Sequence, residues 1–389
     1  MLKSFKVPAY MYYSESLPSE VSAICPNGTD IDWTAIESLP YVAPMKECQQ
    51  DARYHAEGDV WTHTKLCLEH LVANQVWQSL PERDRQIVFL ATLFHDAGKP
   101  ACTRVEEGSI TSKGHSAIGE SLIRQWLYKA NTDIFAREEA ASLIRFHQRP
   151  FHFLKADDIE REVIQVSYNC SCAKLHLLAC ADAGGRDSEA NIETMEHVDM
   201  FQAYAQELEC WNSPYEFPGE DKAWAKYAYF YLGRSRFACS YDSSEFEVHV
   251  LTGLPGCGKD YVAKCWFPGH PVLCLDDIRD EMGIKPGEDT SDVVRKAKSD
   301  AKWYLRERCP FVFNSTCLTR KLRREWIDFF KLYKPRISIV HIDSPAERRT
   351  ERMRSRGRIV DDHVIAKMLR AWQTPGFDEG YTTEWILNP

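Results

Sequence analysis

The stretch Ile87-Val88-Phe89-Leu90-Ala91-Thr92-Leu93-Phe94-His95-Asp96-Ala97-Gly98-Lys99-Pro100 decides the first half of the chain. Eight almost entirely apolar residues read as a helix buried on every side. The His-Asp pair that closes the run goes inside with them, where a carboxylate is costly unless it is paired or coordinates a metal. Gly98, with Pro100 beyond it, supplies a stop signal. Upstream, Asp59 can cap a helix in which Trp61, Leu68, Leu71 and Val72 recur at spacings near three and four, continuing to just before Pro81. Further helices end at Pro150, after Leu143-Ile144-Arg145-Phe146-His147, and at Gly184-Gly185, after Leu175-His176-Leu177-Leu178. No strand pattern competes up to about residue 212, so an all-α domain is expected over 1–212. Other potential ligands fall at its helix ends and turns: His63, His115 after Gly114, His147 before Pro150, and Asp182 before Gly184-Gly185.

Beyond residue 246 the rhythm changes to short apolar strands at 246–251, 272–275, 311–313 and 337–342, alternating with helical segments. That alternation implies a parallel α/β sheet in a second domain, 243–389. Between the two, 213–242 holds Pro214, Pro218, Gly219 and an aromatic segment at 224–232, read as a connecting helix packed between domains. The first strand leads into Gly253-Leu254-Pro255-Gly256-Cys257-Gly258-Lys259-Asp260, with a helical segment at 262–266 behind it. Strand, glycine-rich turn, Lys and helix are the context of a phosphate loop, whose backbone N–H groups surround the phosphates while Lys259 reaches the β/γ oxygens. Asp260 stands where a Ser or Thr hydroxyl normally binds magnesium. Either it binds magnesium itself, directly or through water, or the loop is crippled. Asn314 closes the strand at 311–313 where many such kinases carry a metal-binding Asp, so the charged and neutral ligands are read as exchanged. Lys99 has two roles open to it, neutralising a substrate phosphate or standing as a helix C-terminal cation.

Composition agrees with a soluble globular enzyme. Of 389 residues, 44% are hydrophobic and 27% charged, and no stretch approaches the roughly 20 apolar residues of a membrane span. The opening Met1-Leu2-Lys3-Ser4-Phe5-Lys6 has no apolar segment behind it and does not read as a leader, so a cytoplasmic location with no membrane partner is expected. Fourteen cysteines, scattered through apolar segments such as those around Cys180, Cys274 and Cys317, are read as reduced packed thiols, and the close pair Cys170-Ser171-Cys172 is assigned no metal. The net charge of −9 is uneven. Residues 1–242 carry 23 Lys/Arg against 35 Asp/Glu and residues 243–389 carry 25 against 22, so the anion-binding surface is expected mainly on the second part.

In the order His63, His95-Asp96, His115, His147, Asp182, the first half resembles the HD-domain phosphohydrolase superfamily over roughly residues 50–190. Its flanks, His55-Ala56-Glu57-Gly58-Asp59-Val60-Trp61-Thr62-His63-Thr64 and Ala181-Asp182-Ala183-Gly184-Gly185-Arg186, look like the HD domains appended to bacterial tRNA nucleotidyltransferases. The resemblance implies that His63, His95, Asp96 and Asp182 hold one metal and that His115 and His147, with Asp96 bridging, hold a second. Mixed imidazole and carboxylate ligands suit Mn, Fe, Co, Ni or Zn better than Mg, and such metals generate hydroxide and clamp phosphoryl oxygens.

Over roughly 246–375, Asp276-Asp277-Ile278-Arg279, Asn314-Ser315-Thr316-Cys317-Leu318-Thr319 and Arg352-Met353-Arg354-Ser355-Arg356-Gly357 resemble motifs of the 5'-OH polynucleotide kinase family. That similarity implies Asp276 as the base for the attacking hydroxyl, Arg279 on a phosphate of the acceptor strand, and Arg352 and Arg356 on ATP phosphates. Ser344-Pro345-Ala346-Glu347 looks like a capping box, which leaves part of the basic run 348–358 as a solvated helix face.

Joined, the two halves resemble the bifunctional HD-phosphatase and polynucleotide kinase enzymes of bacterial nucleic-acid repair. The implied activity is end healing on RNA or DNA, with ATP or another NTP and Mg2+ serving the kinase, one or two transition metals serving the phosphatase, and a ligase receiving the product. Working on opposite ends of one break also avoids a futile cycle. A nucleotide-pool enzyme combining an HD nucleotidase with a nucleoside or nucleotide kinase is the second reading. A nucleic-acid-binding or regulatory protein with a degenerate module is the third. A tRNA nucleotidyltransferase is excluded because the chain has no nucleotidyltransferase Gly-Ser loop with paired carboxylates.

Overall fold

In the computed structural model, residues 16–106, 108–187, 191–239, 241–284, 288–357 and 359–389 are described. The opening segment 1–6 and Arg358 lie outside them. The chain divides into two compact units, 1–216 and 217–389, each considered by itself. A helical region followed by an α/β region with a parallel sheet is the architecture expected from the sequence.

The first unit is built around the helix Glu82–Phe94, in which every residue from 87 to 94 is buried. Burying each large apolar side chain of this run contributes about 1.5–3 kcal/mol. Helices Val60–Ala73, His115–Lys129, Ile134–Phe146 and Cys172–Gly184 pack with it. Glycines set two of the crossings. A Cβ on Gly98 would lie 2.2 Å from His115 O, and one on Gly185 would lie 2.6 Å from Cys67 Sγ and 2.8 Å from Cys67 N. Only glycine tolerates those approaches, and they bring His95-Asp96 against His115 and Asp182 against His63.

Three details of the first unit differ from the sequence reading. The helix expected to continue to Pro81 stops at Ala73, because Asn74 turns its side chain to accept from Val76 N and Trp77 N and caps a separate turn, Gln75–Gln78. The helix through residue 94 ends at Phe94 rather than Gly98, and the chain turns tightly through His95-Asp96 into a 3-10 turn, Lys99–Ala101. A strand pair also exists where none was read. β1 (Arg104–Glu106) pairs antiparallel with β2 (Ser109–Thr111), but three-residue strands whose side chains are exposed in β1 and half-buried in β2 carry no apolar alternation to reveal them.

The second unit holds a five-stranded parallel sheet in the order β4-β5-β3-β6-β7: β4 is Val272–Cys274, β5 Phe311–Asn314, β3 Glu247–Thr252, β6 Arg336–Asp343 and β7 Thr382–Leu387. The register sets Asn314 opposite both Leu251 and Cys274, so the last residue of β5 sits between the start of the phosphate loop and the segment that carries Asp276. That carboxyl edge is where open α/β sheets bind ligands. The sequence reading did not anticipate β7, a half-buried strand at the sheet edge with no continuous apolar run.

The segment read as a connector is divided at residue 217, and its helix Lys222–Leu232 belongs to the second unit, where it packs against that unit's own residues. Lys226 Nζ donates to Phe377 O at 2.7 Å, and the Arg324 guanidinium lies 4.2 Å from the centre of the Tyr231 ring. Among the described residues no helix is long and apolar enough to cross a membrane, and all fourteen cysteines are free thiols.

Candidate functional site

Six residues read as ligands converge in the interior of the first unit: His63, His95, Asp96, His115, His147 and Asp182, all buried. Local structure aims three of the rings the same way. His95 Nδ1 donates to Thr92 O at 2.7 Å, His115 Nδ1 to Ser112 O at 2.8 Å, and His147 Nδ1 to Ile144 O at 2.7 Å. A carbonyl only accepts, so Nδ1 carries a proton on each ring and Nε2 is the nitrogen turned toward the site. His115 Nε2 and His147 Nε2 lie 3.2 Å apart, a repulsive pairing of acceptors unless a cation sits near both.

Asp96 lies between two sets of nitrogens. Its Oδ1 is 3.2 Å from His115 Nε2 and 3.9 Å from His147 Nε2, while Oδ2 is 3.3 Å from His95 Nε2 and 3.9 Å from His63 Nε2. Asp182 Oδ1 is 3.2 Å from His63 Nε2, and both Asp182 oxygens accept from Arg186. Ligand atoms fall into two tight groups, His63, Cys67, His95 and Asp182 in one and Asp96, His115 and His147 in the other.

The electrostatics of the two carboxylates and of His147 suit metal ligands. Burial alone would raise the Asp96 carboxyl, but Lys99, His95 and His115 outweigh it and hold the group well below the usual carboxylate range. Burial is likewise overcome at Asp182, by Arg186, His63 and His95. At His147 burial acts first, and His115 and His95 add to it, pushing the imidazole down to about 3, so the ring is neutral at physiological pH.

Lys99 turns inward rather than standing at a helix C-terminus. Its Nζ is 2.6 Å from Asp96 Oδ2 and donates to Gln50 Oε1 at 2.6 Å. A cavity of about 370 Å³ opens onto the cluster, with Lys99, Lys113 and Arg186 on its wall. Sequence reasoning left several contributors unassigned. Glu57 Oε1 lies 2.8 Å from both His63 Nδ1 and His55 Nδ1, orienting His63 through its far nitrogen. Cys67, four residues beyond His63 on one helix face, and Arg186, four residues beyond Asp182 and just past the end of its helix, were legible by spacing; Gln50, from a loop, was not.

In the second unit the phosphate loop runs from Gly253 to Gly258 between β3 and the helix Lys259–Trp266, with Leu254 and Cys257 buried beneath it. Lys259 Nζ donates to Gly253 O at 3.0 Å and Leu254 O at 3.2 Å. Asp260 and Asn314 are adjacent: Asn314 Nδ2 donates to Asp260 Oδ1 at 2.8 Å, and Arg356 donates to Asp260 Oδ2 at 2.9 Å.

Arg352 donates to Cys257 O at 3.0 Å and to Ser344 Oγ at 3.1 Å. Ser344 does not form the expected capping box. Its hydroxyl donates to Cys257 O at 3.0 Å, and the helix Ala346–Ser355 has Pro345 as its N-cap residue with no side-chain cap. Nor is Arg349 on a solvated face: it is buried and donates to Pro255 O at 3.1 Å. The helical stripe 349, 352, 356 was the available signal. Asp276 opens the helix Leu275–Glu281 just past β4 and pairs with Arg279 at 2.8 Å. Asp260, Asn314 and Asp276 line one cavity of about 390 Å³.

Comparison with known proteins follows the same division. Residues 60–174 match the family described as HD domain, and residues 248–375 match one described as AAA domain. A CC-adding tRNA nucleotidyltransferase from Thermus thermophilus is 32% identical over 111 residues, which cover 28% of this chain and 24% of that enzyme, so the chain spans about a quarter of the length of that curated relative. Among solved structures, an unliganded sugar kinase from Janibacter sp. HTCC2649 aligns at 19% identity over 37% of this chain and 86% of its own, with a TM-score of 0.30. A gluconokinase from Sinorhizobium meliloti 1021 aligns at 20% identity over 36% and 82%, with a TM-score of 0.29; scores this low carry no weight for function. The HD-domain match thus falls in the helical unit, and the AAA-domain match falls in the α/β unit that carries the glycine-rich loop and its parallel sheet.

Proposed function

We propose that this chain heals nucleic-acid ends, phosphorylating a 5'-hydroxyl with ATP in its second unit and removing a 2'- or 3'-terminal phosphate in its first, so that a ligase can join the products. The observation that carries this reading is that one polypeptide joins a buried His/Asp cluster within an HD-domain match to a glycine-rich loop with Lys259 within an AAA-domain match, sites suited to removing and adding phosphate respectively. On one position they would cancel; on the two ends of a break they cooperate. A curated relative whose name places it on tRNA gives independent support.

The donor set fits a pair of transition metals, with His63, His95 and Asp182 on one side, His115 and His147 on the other and Asp96 between. Bound there, such metals would supply an activated hydroxide and Lewis-acid stabilisation of the phosphoryl group. The chain's own part is to fix the rings through their Nδ1 bonds, hold Asp182 with Arg186, and present Lys99 to the substrate phosphate. In the second unit Lys259 serves the nucleotide phosphates, with Arg352 and Arg356 beside it. Asp276 takes the proton of the attacking hydroxyl, and Arg279 holds an acceptor phosphate. Asp260 and Asn314 would hold Mg2+, which neutralises the triphosphate.

An oligonucleotide with 5'-OH and 3'-phosphate ends, incubated with ATP and Mg2+ or Mn2+ and weighed at both ends, tests the whole reading. Phosphate should appear at the 5' end and disappear from the 3' end. Efficient phosphorylation of mononucleosides with none on the oligonucleotide would instead establish a nucleotide-pool enzyme.

The contact between Asn314 and Asp260 motivates a second test. If the pair shares one metal with the usual charges exchanged, Asp260→Ser should lower kinase activity by about 10-fold or more, as loss of metal-site groups commonly does. Adding Asn314→Asp should then recover part of it, the coupling expected of neighbours. Strictly additive losses in the double variant would sink the exchange.

A further inference from the structure

Cys67 lies one helical turn beyond His63, and its Sγ is 3.4 Å from His63 Nε2, the nitrogen that faces Asp182, against 3.8 Å from Nδ1. The thiol is fully buried, and Sγ lies within 4.8 Å of the ligand atoms of His63, His95 and Asp182 alike. Packing explains part of this placement, since Cys67 fills the close crossing at Gly185. It does not explain the company Sγ keeps. His95 Nε2 points into the same space, fully buried and 3.3 Å from Asp96 Oδ2 without forming a geometrically sound hydrogen bond, while its other nitrogen is fixed by Thr92 O. Four donors of different residues thus converge: two imidazole nitrogens, one carboxylate oxygen and one sulfur. Asp96 groups with His115 and His147 instead. His and Cys four residues apart on one helix face form a natural two-point clamp.

We propose that Cys67 is a thiolate ligand of the metal held by His63, His95 and Asp182, so that this centre takes a borderline-soft divalent cation of the zinc and cobalt type in preference to manganese or magnesium. On binding, the S–H bond breaks heterolytically, its proton leaves to solvent, and the sulfur lone pair forms the metal–sulfur bond; no oxidant or reductant takes part. The proposal rests on the metal-dependent reading of the first unit and specifies which metal one of its two positions selects.

The test is cobalt(II) titration of the full chain after chelation, followed by absorption spectroscopy. Wild type should show d–d bands together with an intense near-ultraviolet thiolate-to-cobalt band. Cys67→Ser should keep d–d bands, lose the thiolate band and bind cobalt at least about 10-fold more weakly, since even groups outside the ligand set cost that much. A thiolate band that survives in Cys67→Ser, or d–d bands without one in wild type, would overturn the thiolate assignment while leaving the metal centre standing. No cobalt spectrum at all would overturn the metal-centre reading and this proposal with it. Cobalt X-ray absorption on wild type keeps the question open to test even if the variant does not fold: one sulfur at about 2.3 Å is expected, and a shell of nitrogen and oxygen alone would refute it.

Discussion

Asp96→Ala should remove the phosphatase activity and leave the kinase intact, and Lys259→Ala should do the reverse. Asp96 sends one oxygen toward His115 and His147 and the other toward His63, His95 and Lys99, so its loss affects both groups of ligand atoms at once. No other carboxylate among the described residues occupies that position; Asp182 is already engaged by His63 and bidentately by Arg186. Lys259 belongs to the other compact unit and reaches the carbonyls of its own loop, where a nucleotide phosphate would compete for the ammonium. Groups that stabilise transition-state charge are commonly worth about 10²-fold or more in rate, so neither loss should be subtle. Asp96→Asn provides a control of nearly equal volume, because the Ala variant leaves the Lys99 ammonium buried with only Gln50 as its partner. The measurement is turnover of both ends by each folded variant. Loss of both activities in each would mean that the two sites do not act independently.

How much of this was legible beforehand follows from where the signals lie. The convergence of the residues read as ligands in the first unit was foreshadowed because most of them sit at a helix end or turn marked by local chemistry: His95-Asp96 after a run with no polar face, His115 after Gly114, His147 and Asp182 ahead of Pro150 and Gly184-Gly185. The phosphate loop was readable for the same reason, since strand, glycines, lysine and helix follow one another without interruption. Long-range contacts left no such trace. Gln50 meets Lys99 across 49 positions, and Glu57 meets His63 only because a loop folds back over the helix it precedes. The β1–β2 pair and β7 lacked apolar alternation because their side chains are exposed or half-buried, and Asn74 broke a helix whose apolar spacing continues through it. Arg349, Arg352 and Arg356 illustrate the boundary. Their spacing marks one helix face, but only the folded chain reveals that the face lies against the phosphate loop.

Asp276→Asn should lower kinase turnover by about 10²-fold or more while ATP affinity stays near the wild-type value, because a positioned general base contributes about 10²- to 10⁴-fold and acts on the acceptor hydroxyl rather than on the nucleotide. Its position suits that task. Asp276 lies in the first turn of the helix Leu275–Glu281, at the carboxyl end of β4, and it shares a cavity with Asp260 and Asn314. Asparagine keeps the size of the side chain and its hydrogen-bonding oxygen but cannot take a proton. The ion pair with Arg279 sharpens the test, since an acceptor phosphate that draws the guanidinium away also frees the carboxylate. Such half-exposed pairs are worth about 0–1 kcal/mol, so parting them is a small cost. Arg279→Ala should therefore penalise acceptors that carry a phosphate beyond the first nucleoside and spare a free nucleoside. An equal penalty on both would contradict the phosphate contact. If Asp276→Asn retains near-wild-type turnover at saturating acceptor, the base is another group, and Asp277, on the same cavity wall, is the residue to replace next.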